Sequence, residues 1–587
     1  MGLAKKMIRI TAVLLVVFLL IPLVTPVDAS AYSPPRTTLR IGLNFNTTAL
    51  ASSNLQNEVG SGFEFGYYDA NLNFTRVATT TETRLSVIID HNMQWNAAGS
   101  FSGEYVSKGT GATTAGIPAV GYLHWQINSG RTNLNDALND IKATGATDGF
   151  VRYLTNGTFV PMYGSYTTTS ARDAARRSAS HTSNGGTGYT ITVAATGTGR
   201  VLFEFDNGSN TARLLGIRPI GSGKLSTHYR GYRYYGGFRY QRLVNQALTV
   251  VNIVNIEDYV QGVIPYEMSN SWPLEALKAQ ALCARTYVIS QLNKHNSYGI
   301  DVCTEMDCQV YRGRNSANAT TDRAVNETAG MYITYNGALC ETFYVSSHGG
   351  GSENNENIWT GTPRPYLRGV IDTYEEDPFR AGLISNYNWT STISQASLTQ
   401  RVKSAGYPNA STIVSIWVSQ YTPTGNVLSV TMSDSNGRQY TFSRRAGLQA
   451  AFGASLIRTQ RFNIGSVAWQ QGGTIYANVP AQAIPSTSQR YVISSENGVA
   501  STTAVSGTMS AIDGAGTIKN VVGGGQGTTM GSPTGPVNGN FTLTGRGWGH
   551  SVGMSQWGAY SQARYYNRTA QQIVQHYFTG VQISKAT

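Results

Sequence analysis

Between Val250 and Val288 the alternation of apolar and polar positions changes character twice. The β-branched run Val250 to Val254, interrupted by Asn252, has the density of a largely buried strand. Ile256 to Val263 follows with Tyr259 and Val260 facing inward, and Pro265 then stops regular structure, which places Glu267 on a constrained connection. A helix opens near Trp272 or Pro273, since proline is tolerated in a first turn and Glu275 complements the dipole there. Leu274, Leu277, Ala281, Ala284 and Val288 recur at three- and four-residue steps and predict one buried stripe. Lys278 and Arg285, seven residues apart, project from one face beside it.

The rest of the chain reads as shorter pieces. Thr37 to Phe45, Phe63 to Tyr68 and Leu85 to Ile89 are strand-like, and the Gly/Ser/Thr-rich stretch from Ser100 to Gly116 reads as a linker. From Val120 to Arg177 the order is strand, helix, strand, strand, helix, with a hairpin signal at Asn156-Gly157 and Gly145 placed to end the first helix. Strands resume at Tyr189 to Ala194 and Arg200 to Phe205. In His228 to Tyr240 tyrosines interleave with arginines; a strand pair with its tyrosines packed inside is the favoured reading over a sugar-stacking surface. Later come a polar helix within Asn388 to Gly406, two strands in Ile413 to Met432, and a short helix in Ala446 to Arg458. From 470 to 540 the composition indicates a β-rich insertion and a linker.

Residues 1–31 have the form of a secretion signal: Lys5, Lys6 and Arg9, the apolar run Ile10 to Val24, then Ala29-Ser30-Ala31. The run is short for a membrane span, so a membrane is a partner only if the segment is retained. The formal net charge is +12, and loss of residues 1–31 leaves +10. A basic exported protein with 13% charged residues suits anionic wall surfaces, and no nucleic-acid-binding motif is present.

The string IEDYVQGVIPYEM followed by PLEALKAQALCARTYV is similar to the core motif of the stage II sporulation protein D family, a group of peptidoglycan lytic transglycosylases. GRGWGHSVGMSQWGAYSQA, Gly545 to Ala563, resembles that family's C-terminal signature. SSHGGGSENNENIW, PYLRGV and RRAGLQAAFGASLIRTQRF resemble family segments between them. The resemblance covers most of the chain after Gly199. It implies an α+β fold: a β-rich, multi-part domain whose long helix carries the active-site face, in parts 37–99 and 189–587. The 117–178 segment resembles the sporulation-related repeat, a small inserted βαββα module that binds glycan strands independently.

The resemblance implies that Glu267 is the catalytic acid and base, cutting the MurNAc–GlcNAc bond to leave 1,6-anhydro-muramic ends. One carboxyl can serve both steps if its pKa is raised, as desolvation by Tyr266, Met268 and Trp272 would do. It also makes Lys278, Arg285, His550 and Gln556 substrate-binding residues. Asp258 and Glu275 are the local candidates for the second acid a hydrolase needs. Relatives described as amidase enhancers supply a rival reading, a wall-binding regulator of an amidase. A zinc hydrolase using His348 and His550 lacks the usual ligand spacing.

No cofactor is required by this chemistry. Four cysteines, at 283, 303, 308 and 340, remain. Cys283 falls within the long helix and reads as packing. An oxidising compartment favours a Cys303–Cys308 disulfide; a structural zinc with His295 or His348, or free thiols, are the alternatives. The family's SSCGG segment has His348 in place of its cysteine, which leaves a ligand exchange open.

Overall fold

The computed structural model describes residues 32–98, 103–208, 211–242, 247–465 and 533–586, with four strands inside 490–521. The proposed secretion signal, residues 1–31, and most of the 470–540 insertion lie outside these. The chain divides into two compact units, one of residues 1–267, 284–341 and 581–587, the other of 268–283 and 342–580. Strands and helices are mixed throughout, an α+β arrangement. Among the described residues no helix is long and apolar enough to cross a membrane.

The first unit holds two large sheets. One runs in the order Val302–Cys303, Thr38–Asn44, Leu248–Asn255, Gly237–Arg242, Leu214–Ile220, Gly62–Tyr68, Phe74–Thr80. Leu248–Asn255, buried in every residue but Asn255, is the strand read from Val250 to Val254. The second, ten-stranded sheet begins with Thr182–Gly185, Leu123–Gln126, Phe159–Tyr166 and Gly149–Leu154. The last three of these strands and the helices α1 (Leu134–Ala143) and α2 (Thr169–Ala174) are the segment read as an inserted module; Thr182–Gly185 lies beyond its boundary and is a strand the sequence did not suggest.

The module's sheet does not end at its boundary, because Gly149–Leu154 pairs in parallel with Val201–Asp206. Charges cross the same seam: Arg152 and His124 inside the segment meet Glu204 outside it, at 2.8 and 3.2 Å, all three buried. Burial alone would raise the Glu204 pKa, but the two bases outweigh it and hold the carboxyl ionised. The stretch expected to be a linker contributes a strand of its own, Glu104–Ser107, paired with Met93–Asn96. In the tyrosine-rich hairpin, Arg230 and Gly231 both take positive φ in a tight turn. Tyr229, Tyr234 and Tyr240 are buried, as the packing reading requires.

Helix α3 (Ile256–Glu267) runs through Pro265 rather than stopping before it. Proline in the last turn withholds one N–H from the carbonyl four residues back, a local loss the buried Ile256, Tyr259, Val260, Val263 and Ile264 outweigh. Helix α4 (Leu274–Ser290) follows, residues to Cys283 grouping with the second unit and those from Ala284 with the first. It is not amphipathic as expected: Ala279 to Ile289 are buried all round, and Leu274 at its start is only half-buried. Ala279, Ala281, Cys283 and Ala284 are small enough to be surrounded, and a helix enclosed on every side needs no polar face. Helix α5 (Ala319–Glu327) packs on α3 within the first unit.

The second unit contains an apolar core built from the sheet Asn388–Ser394, Asn540–Arg546, Phe462–Ile464, the sheet Ile413–Tyr421, Val427–Asp434, Gln439–Ser443, and helices α6 (Gln395–Ser404) and α7 (Arg444–Phe452). Helices α8 (Gln556–Tyr566) and α9 (Ala570–Tyr577) close the chain's final motif.

Candidate functional site

Glu267 is the last residue of α3 and is half-buried. Its Oε1 accepts the N–H of Val310 at 2.9 Å. The segment Gln309 to Arg312 is itself clamped to the helix: Tyr259 donates to Gln309 at 3.0 Å, its ring lies 4.8 Å from that of Tyr311, and Tyr311 donates to Asn252 at 2.8 Å. A Cβ on Gly262 would come within 2.4 Å of the Tyr311 ring, so only glycine allows this approach. Tyr266 meets Tyr232 edge-on, and Arg312 lies over Tyr232 and donates to its hydroxyl at 3.2 Å. Tyr232 and Arg312 also line a cavity of about 230 Å³ with Tyr229, Arg230, Tyr311 and Glu305. The carboxyl stands at the end of α3, next in sequence to Tyr266, whose ring meets this aromatic and cationic wall.

The two cations expected on one face are placed differently. Arg285 is wholly buried and forks onto Glu257, at 2.9 Å from Nε and 2.7 Å from Nη2, with Val325 and Met331 carbonyls and the Thr328 hydroxyl about it. A guanidinium enclosed this way is an internal tie, not a group presented to a substrate. Lys278 pairs with Glu275 at 2.8 Å, and the other Glu275 oxygen accepts the first N–H of α9 at 2.7 Å. Asp258 pairs with Lys224. Neither local candidate for a second acid is therefore a bare carboxyl. Trp272, expected to desolvate Glu267, stacks with Trp557 and Tyr560 in the second unit.

His550 is held between Phe343 and Trp359, with ring centroids 6.1 and 5.1 Å away, and its Nδ1 accepts the Val552 N–H. Burial, then Arg445, pushes its pKa down to about 3, so it is neutral at any ordinary pH. Gln556, the first residue of α8, is buried.

The cysteines are not joined by a disulfide; Cys303 and Cys308 are thiols. The Cys308 sulfur accepts the Cys303 N–H at 3.3 Å and lies 3.4 Å from His295 Nε2, which is 3.1 Å from Asp307. A hydrogen bond from Cys308 draws the Cys303 pKa down to about 6, a thiolate in waiting. His295, Cys303, Asp307 and Cys308 bring four donor atoms within 4.8 Å of one another, two sulfurs, one nitrogen and one oxygen, a set suited to zinc. His348 is not part of it. That imidazole groups with Asp372 and Glu375 in the second unit, acids that no local spacing in the sequence connects to it.

Residues 244–335, which span α3, most of the segment that clamps Glu267 and the cysteine cluster, match the model of the family described as stage II sporulation protein. Over these residues the chain is similar to the stage II sporulation protein family. An uncharacterised protein of Brachyspira hyodysenteriae is 41% identical over 141 residues, 24% of this chain and 38% of that protein. The amidase enhancer of Bacillus subtilis is 30% identical over 304 residues, 52% of the chain and 37% of the relative. The matches therefore span little more than a third of either protein's length. Stage II sporulation protein D of Bacillus subtilis is 24% identical over 363 residues, 59% of this chain and 78% of the relative.

Proposed function

We propose that this protein is an exported peptidoglycan lytic transglycosylase acting in cell-wall remodelling during sporulation, with Glu267 as its single acid–base group. The observation that carries the reading is the half-buried Glu267 on the end of α3, steadied by the Val310 N–H beside the Tyr232 and Arg312 wall. Two of the relatives, an amidase enhancer and a stage II sporulation protein D, support the cell-wall and sporulation setting.

In the first step the Glu267 carboxyl gives its proton to the glycosidic oxygen as the bond from the muramic C1 breaks, leaving an oxocarbenium-like sugar and a free hydroxyl on the departing residue. In the second, the same muramic unit's C6 hydroxyl bonds to C1 and returns its proton to Glu267. The product is a 1,6-anhydro end and no water is consumed. Lys278, His550 and Gln556 remain candidates for substrate contact; Arg285 acts through Glu257 on the helix that carries the acid.

Zinc held by His295, Cys303, Asp307 and Cys308 would supply a rigid crosslink to the loop whose Thr304 and Glu305 line the cavity. The segment 117–178 is proposed to add a glycan contact, since exposed Arg176 and Arg177 lie over Trp125 and Tyr163. Replacing both arginines by Ala in the full chain should weaken pelleting with amidase-stripped sacculi; unchanged pelleting would remove that role.

Mass spectrometry of glycan products tests the whole reading. Anhydro ends are expected. Reducing ends would make it a hydrolase, and no products, together with stimulation of an added amidase, would favour the enhancer that one relative is named for.

A further inference from the structure

Three segments of the second unit meet at His348. Its side chain, like those of Asp372 and Glu375, is wholly enclosed. His348 Nδ1 lies 3.5 Å from Asp372 Oδ2 and 4.0 Å from Glu375 Oε1, and among the described residues neither ring nitrogen makes a hydrogen bond. Hydrogen bonds to an imidazole close to about 2.7–3.2 Å, and a buried ring without one is rare. Separations of this size instead match the edges of a metal polyhedron, about 3.4 Å for a tetrahedron with ~2.1 Å bonds. One donor atom from each of the three residues lies within 4.8 Å of the others.

The surroundings hold both carboxyls in place. Glu375 accepts the His348 N–H at 2.6 Å, the Gly349 N–H at 2.8 Å and the Ser555 hydroxyl; Asp372 accepts the Tyr374 N–H at 3.1 Å and the Tyr577 hydroxyl at 2.6 Å. Both carboxyls are met by donors on either oxygen, which holds them in place beside the imidazole, whose nitrogens have no hydrogen-bond partner among the described residues.

We propose that His348, Asp372 and Glu375 form a second metal site, taking one divalent transition ion of the zinc or manganese class and separate from the cysteine cluster. The imidazole selects such an ion over calcium or magnesium, and the absence of sulfur distinguishes the site from the thiol one. The ion would pin the Ser347 to Gly349 turn to the Asp372 to Glu375 loop and, through Ser555 and Tyr577, to the two C-terminal helices. Gly558 fits this role: a Cβ there would stand 1.9 Å from the Tyr577 hydroxyl and 2.6 Å from Asp372 Oδ2. The proposal does not depend on the transglycosylase reading.

The test uses the full chain with Cys303→Ser and Cys308→Ser, stripped by chelator and titrated with Zn²⁺. About one equivalent should bind, raising the melting temperature by several degrees, and adding His348→Gln should abolish both effects. Cobalt(II) in the serine background should give no thiolate charge-transfer band, and His348→Cys should create one. Far-UV circular dichroism checks each variant's fold; should His348→Gln fail to fold, the His348→Cys band decides. Less than about 0.2 equivalents bound in the folded serine background, equal binding by a folded His348→Gln protein, or no band from a folded His348→Cys protein would each overturn the assignment.

Discussion

Glu267 and Glu375 are both carboxyls that accept backbone N–H groups, and the structure treats them in opposite ways. Glu267 ends a helix, is half-buried, and accepts the Val310 N–H. Glu375 is sealed from water and takes two, with a serine hydroxyl besides. A group that must pass a proton to a substrate keeps part of its surface reachable; a group that fixes a loop is surrounded by donors. Motif similarity alone does not separate these duties, whereas burial does.

The largest effect that could break this contrast is on turnover. Glu267→Gln should lower anhydromuropeptide release by about 10²- to 10⁴-fold with the melting temperature unmoved, because only the transferable proton is lost. Near-normal release by that folded variant would rule out the single-carboxyl mechanism. Glu375→Gln should do the reverse, lowering the melting temperature while release per folded molecule stays near normal.

Arg285 sharpens the same contrast from the cationic side. Arg285→Met should cost about 2–4 kcal/mol in urea unfolding, since it strands the Glu257 carboxylate, and the partial exposure of Glu257 softens the loss. An unfolding midpoint equal to wild type would return Arg285 to the surface role first expected of it.

Next in size is acid sensitivity. His550 has a folded pKa of about 3 against about 6.5 when unfolded, so the unfolded chain binds the extra proton in between. Its contribution is complete above about pH 6.5 and is lost as pH falls toward 3, amounting to roughly 1–2 kcal/mol by pH 5. His550→Gln should flatten that part of the stability profile measured by urea titration. A profile as steep as the parent's would assign the acid sensitivity elsewhere. Smallest is Glu275→Gln, at most ~1 kcal/mol, because the amide oxygen still accepts at the start of α9.

What could be read from the sequence was what repeats over a few residues. The strand at Val250, the helix after Pro273, the turn at Asn156-Gly157 and the proximity of Cys303 to Cys308 all follow from local period or spacing. The structure carries these out. What escaped were pairings set by tertiary packing: Glu257 with Arg285, and His348 with Asp372 and Glu375. No spacing rule connects residues more than twenty apart, and the resemblance of the His348 segment to the family's SSCGG pointed to the cysteines instead. Two local rules also yielded to packing. Pro265 stayed in its helix because the flanking side chains are buried, and α4 lost its polar face because small residues let neighbours close in on every side.

The Glu257–Arg285 fork has a mechanical consequence. It grips α3 at its first turn, while Glu267, the carboxyl proposed to react, stands ten residues on, about 15 Å along the axis. The helix is a lever with its pivot at the fork. An angular slack of about 4° at that pivot becomes a shift of about 1 Å at the tip, enough to cost on the order of 100-fold in a reaction that depends on placement. Arginine's two-pronged grip limits such swivel, where a single-point contact from lysine would allow it.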